Sequence, residues 1–226
     1  MTHASEILLS LFLLTNLTLA GTGRLPHAIR LVAAQGWLIG LLPLFLWDWA
    51  AAGAPGFRIW LVAAINALVK GLALPALLLY AVRKVRARRE VEPLVSFRVS
   101  QLIAFLIAAA SLALGRLLHI HESVACELAV PVAFATMGTG LFLLCSRRKA
   151  VTQALGFLVF ENGIGIFGSG ILLECGLVVE LGILLDVFVM VFVLGIAICQ
   201  ISRTFDSLDT DRMNRLGDIH LLHRHH

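Results

Sequence analysis

Residues 57–83 read FRIWLVAAINALVKGLALPALLLYAVR, and the fold is decided by how this run is read. Between Arg58 and Arg83, which stand at its two ends, the only charged side chain is Lys70, at the middle. A bilayer's hydrocarbon core is crossed by about 20 predominantly apolar residues in an α-helix. Only helices or closed barrels satisfy the backbone in lipid, and this continuous run lacks the alternation of a barrel strand. It therefore predicts a membrane helix that carries an ammonium group at mid-depth.

Six further runs of the same kind lie at 4–20, 28–51, 97–117, 124–145, 150–173 and 178–201, which brings the expected number of spans to seven. Composition agrees. Of 226 residues 59% are hydrophobic and 14% charged, against roughly 25% charged in a soluble protein, and the mean hydropathy is +0.92. The fold class expected is an all-α integral membrane protein with no soluble domain. Gly21-Thr22-Gly23, Gly53-Ala54-Pro55-Gly56 and the basic stretches 83–89 and 147–149 mark the turns between runs. Pro43, Pro75 and Pro131 fall inside spans, where membrane helices tolerate proline. The first run carries Glu6 where a signal peptide is basic, so it reads as an uncleaved helix. Asn16-Leu17-Thr18 fits a glycosylation pattern but lies inside that helix and is dismissed.

With the N-terminus outside, seven spans place Arg24, Arg30, the basic run 83–89, Arg98, Arg147, Arg148, Lys149, Arg203, Arg212, Arg215 and Arg224 on the inner side. Only Arg58 and Arg116 fall outside. The positive-inside rule asks for this asymmetry, and an even number of spans spoils it. The net charge of +4 thus reports topology and not nucleic acid. Four organisational units follow: two helices over 1–56, three over 57–149, two over 150–202, and a polar inner tail over 203–226.

Cys126, Cys145, Cys175 and Cys199 stand singly, with no C-x-x-C pair, which argues against an iron–sulfur cluster, a zinc site or a disulfide framework. His220, His223, His225 and His226 read as part of an exposed tail and not as metal ligands. Nucleotide-binding, metalloprotease and nucleophile-elbow motifs are absent from the sequence. The chain is expected to hold no cofactor and no active site of its own.

Three ionisable side chains remain that lie away from helix ends and loops: Lys70, Glu161 and Asp186. Each costs about 2.5–3.5 kcal/mol to insert at the bilayer centre. Lys70 and Glu161 stand at the middle of their runs, and Asp186 lies about 12 Å into its own at 1.5 Å per residue. All three are expected in one central layer, as in the intramembrane chains of groups that move protons. Alternatively, Lys70 pairs with one carboxylate to hold helices together, and a switchable pair satisfies both readings. Glu180, at the outer end of the last run, is a further candidate. Glu6, Asp48, Glu122, Glu127 and Glu174 read as solvated outer carboxylates. Gln35, Asn66, Gln101 and Gln153 read as interhelical ties. Gly163, Gly165, Gly168 and Gly170 read as a close-packing face.

The stretch QALGFLVFENG at 153–163, VELGILLD at 179–186 and the exit SRTFDSLD at 202–209 resemble hydrogenase-4 component E, as does LVKGLALP at 68–75 with its central lysine. The resemblance covers most of 57–210. That family belongs to the membrane arm of group 4 nickel–iron hydrogenases and formate hydrogenlyases. Its last helices are similar to the K-type subunit of respiratory complex I and the C-type subunit of multisubunit Na+/H+ antiporters. In the K-type subunit two mid-membrane glutamates on adjacent helices belong to a central proton axis. Glu161 matches the first, and Glu180 or Asp186 the second. Where the K-type pattern has an Asn one turn after its first Glu, this chain has Gly165, with Asn162 adjacent instead. The first four spans have no counterpart in the three-helix K-type subunit.

The resemblance implies a bacterial or archaeal cytoplasmic membrane. It implies as partners an antiporter-like subunit, a quinone-site-type membrane subunit and a peripheral arm with iron–sulfur clusters, with or without a nickel–iron subunit. The expected function is proton translocation or coupling in such a complex through Lys70, Glu161, Asp186 and Glu180. The alternatives are a scaffold subunit, a subunit of a cation/proton antiporter, and an independent small-solute transporter.

Overall fold

The computed structural model describes residues 2–47, 54–84, 94–117, 127–171 and Gly195, and over these it is helical, without strands. The elements are α1 (Thr2–Ala20), α2 (Leu25–Leu46), α3 (Phe57–Leu68), a π-helical turn (Val69–Ala73), α4 (Leu74–Lys84), α5 (Phe97–Leu117), α6 (Ala129–Ser146) and α7 (Ala150–Ile171). Five stretches are long and apolar enough to cross a membrane: Leu25–Leu46, Ile59–Tyr80, Phe97–Leu117, Ala129–Ser146 and Ala150–Ser169. Ala4–Ala20 is a shorter apolar helix. The expected span 178–201, with Glu180 and Asp186, and the tail lie outside the described residues.

Local chemistry sets the boundaries. Helix α2 opens at Leu25, with Pro26 in its first turn, where proline's missing N–H is no loss. It closes where Trp47 turns extended. Extended Gly56 precedes α3. Extended Arg147 separates α6 from α7.

The run 57–83, expected as one helix, is interrupted. The Leu74 N–H bonds the Val69 carbonyl five residues back. Pro75 offers no N–H to the carbonyl of Gly71 in an α-turn or to that of Lys70 in a π-turn. The widened turn, centred on Lys70 and Gly71, is the local answer to that missing donor.

Helices α6 and α7 form the most extensive packing pair, and α2 packs on α3, the π-turn and α7. Backbones touch where side chains vanish. A Cβ on Gly156 would lie 2.6 Å from the Leu144 nitrogen, and one on Gly140 would overlap the Phe160 nitrogen. Gly40 meets Ala67 in the same way, and Gly36 meets the Lys70 carbonyl. Such contacts let membrane helices gain dispersion energy without a hydrophobic drive. Trp37, Trp60, Leu102, Phe105, Leu106 and Leu141 face outward. That surface suits lipid and is far more apolar than soluble monomers show.

One apolar cluster joins Leu19, Leu25, Ala28, Ile29, Val32, Leu74, Leu78, Val82, Leu143, Val151 and Leu155 near one end of the bundle. A second joins Leu8, Leu9, Phe12, Ile39, Leu42, Leu46, Ala129, Val132 and Ile166 near the other. Between them along α1, α2, α6 and α7 come buried polar residues, Asn16, Gln35, Thr136, Thr139, Glu161 and Asn162, and Lys70 of the π-turn stands just before Leu74 of the first cluster. The core is thus two apolar slabs with a polar layer sandwiched between them.

Candidate functional site

The polar layer has two parts. In the first, Lys70 Nζ lies 2.8 Å from Glu161 Oε1, with the side chains 7% and 2% exposed. The pair joins the π-turn to α7 across residues far apart in sequence. Gly165, one turn after Glu161, lies beside the pair: a Cβ there would meet the Ile39 side chain at 2.6 Å and stand at ordinary contact distance, 3.9 Å, from Lys70 Nζ. The π-turn carries Lys70 against α2, where Gly36 admits its carbonyl and Trp37 lies against Gly71.

The second part is a hydrogen-bonded chain of neutral side chains. Asn162 Nδ2 donates to Gln35 Oε1 at 3.5 Å. Gln35 Nε2 donates to Asn16 Oδ1 at 2.8 Å and to Thr15 Oγ1 at 3.0 Å. Asn16 Nδ2 donates to Thr136 Oγ1 at 2.9 Å, and that hydroxyl bonds the Val132 carbonyl. The chain runs α7–α2–α1–α6 and adjoins the ion pair at Glu161–Asn162. Replacing Gln35 by Leu keeps volume but deprives Asn16 and Asn162 of partners. We expect it to cost about 1–3 kcal/mol, read as a lower thermal unfolding midpoint in detergent.

The arrangement holds two opposite charges where no bulk water reaches, next to amides and hydroxyls able to donate and accept. Chemically it can store a proton, release one, or stay neutralised as a pair.

Of the four residues expected to carry chemistry, Lys70 and Glu161 are brought together, whereas Asp186 and Glu180 lie outside the described residues. Among the expected ties Gln35 is a tie. Gln153 is exposed, and its Nε2 donates to the Arg147 carbonyl at 3.1 Å. Gln101 is exposed and lies against Gly21, and Asn66 is half-buried. Gly163 packs on Ala133 and Met137 of α6, as a close-packing face requires. Glu127 is exposed and Glu6 half-buried, while Asp48, Glu122 and Glu174 lie outside the described residues. Sequence reading missed Thr15 and Thr136 and passed over Asn16. Their signal was a neutral polar residue inside an apolar run, which is weaker than a charge.

Over 195 residues the chain is 34% identical to the uncharacterized protein Rv0085 of Mycobacterium tuberculosis (strain ATCC 25618 / H37Rv), covering 84% of this chain and 85% of that protein. No protein-family model matches the chain, and no solved structure does.

Proposed function

We propose that this chain, which belongs to the same family as Rv0085, is a proton-coupling membrane subunit of a complex-I-like assembly. In this reading it has seven spans, its N-terminus outside and its C-terminus inside a bacterial or archaeal cytoplasmic membrane. Its partners are antiporter-like and quinone-site-type membrane subunits and a peripheral iron–sulfur arm of the hydrogenase or formate hydrogenlyase type.

The observation that carries the reading is the buried Lys70–Glu161 pair in the central layer. Intramembrane ionisable groups are costly and mark ion or proton pathways by default. A proton reaching Glu161, or leaving Lys70, cancels the attraction that holds the π-turn to α7. π-Turns occur frequently at functional sites, and here a change of charge state acts directly on a segment whose hydrogen-bond register is already shifted. Protonation and helix arrangement are thereby linked, as a coupling subunit requires. Asp186 and Glu180 would extend the path on the last span.

The test begins with mild-detergent capture of the full chain and identification of what comes with it. Recovery of antiporter-like subunits with a nickel–iron subunit supports the hydrogenase arm. Recovery of antiporter-like subunits alone moves the assignment to a cation antiporter. A chain recovered by itself sinks the reading and revives an independent transporter. In the recovered complex, Glu161→Gln is expected to preserve assembly and to lower proton pumping into vesicles at least tenfold. Unchanged pumping would remove Glu161 from the mechanism.

A scaffold role is favoured by a different observation: the neutral chain from Asn162 to Thr136 ties four helices together without needing to move a proton. Neutralising Lys70 and Glu161 together separates the two. Full pumping in an assembled double variant selects the scaffold.

A further inference from the structure

At the end of the bundle opposite the N-terminus of α1, a second charged group is buried. Arg147 follows the last turn of α6 and is 3% exposed. Several helices meet at it. Its Nη2 donates to the Ala20 carbonyl at the end of α1, at 3.0 Å. Its guanidinium lies 5.5 Å from the centre of the Phe97 ring at the start of α5, and its own carbonyl accepts from Gln153 Nε2 of α7. Among the described residues its Nη1 has no hydrogen-bond partner. Burial lowers the pKa of the guanidinium from the ordinary arginine value, yet an arginine does not give up its proton in a protein. A buried donor that stays charged costs more to leave unpaired than a neutral one, so Nη1 calls for an acceptor.

That acceptor has to fit a small space. Arg147 lines a partly open void together with Thr22 and Thr152, walled by Leu19, Ala28 and Leu155. The void measures about 20 Å³, and a single water molecule needs roughly 10–15 Å³. Half-buried Thr22 gives water a way in. Hydrogen-bond polarity then separates water from a small anion. The Thr22 and Thr152 hydroxyls already give their protons to the Thr18 and Lys149 carbonyls, at 2.7 Å each. The Ala28 and Thr152 N–H groups are bonded to the Arg24 and Lys149 carbonyls. An anion would find one donor, Nη1, beside two oxygens with only lone pairs to offer. Water can accept from Nη1 and donate to both oxygens, and buried waters typically make about three such bonds.

We infer that the void beside Arg147 binds one water molecule, which accepts a hydrogen bond from Arg147 Nη1 and donates to the hydroxyl oxygens of Thr22 and Thr152. Through that water Arg147 reaches the turn between α1 and α2 at Thr22 and the first turn of α7 at Thr152. The guanidinium and its water together clamp this end of the bundle while every polar atom of the clamp stays satisfied. The inference does not rest on proton coupling. A failure here therefore leaves the coupling reading untouched, and the reverse also holds.

The test is a crystal structure of the full chain, grown in bromide, at a resolution that shows ordered water. The expected result is one peak without anomalous signal, within hydrogen-bond distance of Arg147 Nη1 and of both threonine hydroxyls. A bromide peak there overturns the proposal in favour of a halide site. A site without density overturns it, and so does a carboxylate of the chain itself, such as Glu90 or Glu92, bonded to Nη1. A second measurement uses the thermal midpoint in detergent. Ala28→Val pushes methyl groups into the void. Filling a dry void adds contacts and raises the midpoint, whereas expelling a water that serves Nη1 is expected to lower it by at least about 2 °C. In an Arg147→Met background, where no donor is left to strand, the same replacement is expected not to lower the midpoint. A higher midpoint for Ala28→Val alone overturns the water site. An equal loss in both backgrounds reports crowding and overturns the bond between the water and Arg147.

Discussion

Lys70→Met is expected to destabilise the protein by about 3–5 kcal/mol, because it strands the Glu161 carboxylate in a site from which water is excluded. Methionine is one atom shorter than lysine but equally unbranched and flexible, so packing changes little and the lost charge dominates. The measurement is the folded fraction recovered by size exclusion after heating in detergent, compared with the unmodified chain. Lys70→Met combined with Glu161→Leu is expected to recover most of the loss, since replacing both members of a buried pair by apolar groups is often neutral. The difference between the single and double variants measures how strongly the two groups are coupled. If the single variant is as stable as the unmodified chain, Glu161 is already neutral or already served by other donors, and the ion pair does not hold the π-turn in place.

Much of the helical architecture is legible in the hydropathy of the chain, and its departures have local causes. The run 97–117 coincides with α5. The run 28–51 starts three residues late, because Pro26 and His27 depress hydropathy while fitting a first helical turn. The run 124–145 begins early, because α6 opens only at Ala129. For the π-turn hydropathy has no voice at all. A shift of one residue in the hydrogen-bond register leaves apolar content unchanged, and the only trace is Pro75 placed four residues after Gly71.

The polar layer divides in the same way. Lys70 and Glu161 stand out in an apolar run because their insertion costs are large. Asn16 and Thr136 are neutral and far commoner in apolar runs than a charge, and their value comes from meeting each other across 120 positions. No single segment shows that meeting. The glycines that set the closest approaches were also hard to rank. Gly163 and Gly165 follow a charged residue and draw attention. Gly36, Gly40, Gly140 and Gly156 have no charged neighbour to mark them, yet each admits another backbone or a Cβ.

Gly36→Val is expected to cost at least about 3 kcal/mol, the upper part of the range for overpacked cores. Its Cβ would overlap the Lys70 carbonyl and lie close to the Gly71 nitrogen, so relief requires backbone and not a side chain to move. Moving the π-turn away from α2 pulls Lys70 from Glu161, while moving α2 shifts Gln35 from Asn16 and Asn162. Either route damages one part of the polar layer, so the loss should exceed that of an equal enlargement elsewhere. Gly56→Ala is the control, because nothing lies within 4 Å of a Cβ there and its φ of −61° suits any residue. The pair of variants is compared by thermal midpoint in detergent, with Gly36→Ala between them. A steep descent from Gly56→Ala through Gly36→Ala to Gly36→Val means that contact between two backbones fixes Lys70 opposite Glu161. A flat series means that α2 and the π-turn separate easily, and then the ion pair itself, more than helix packing, holds the π-turn against α7.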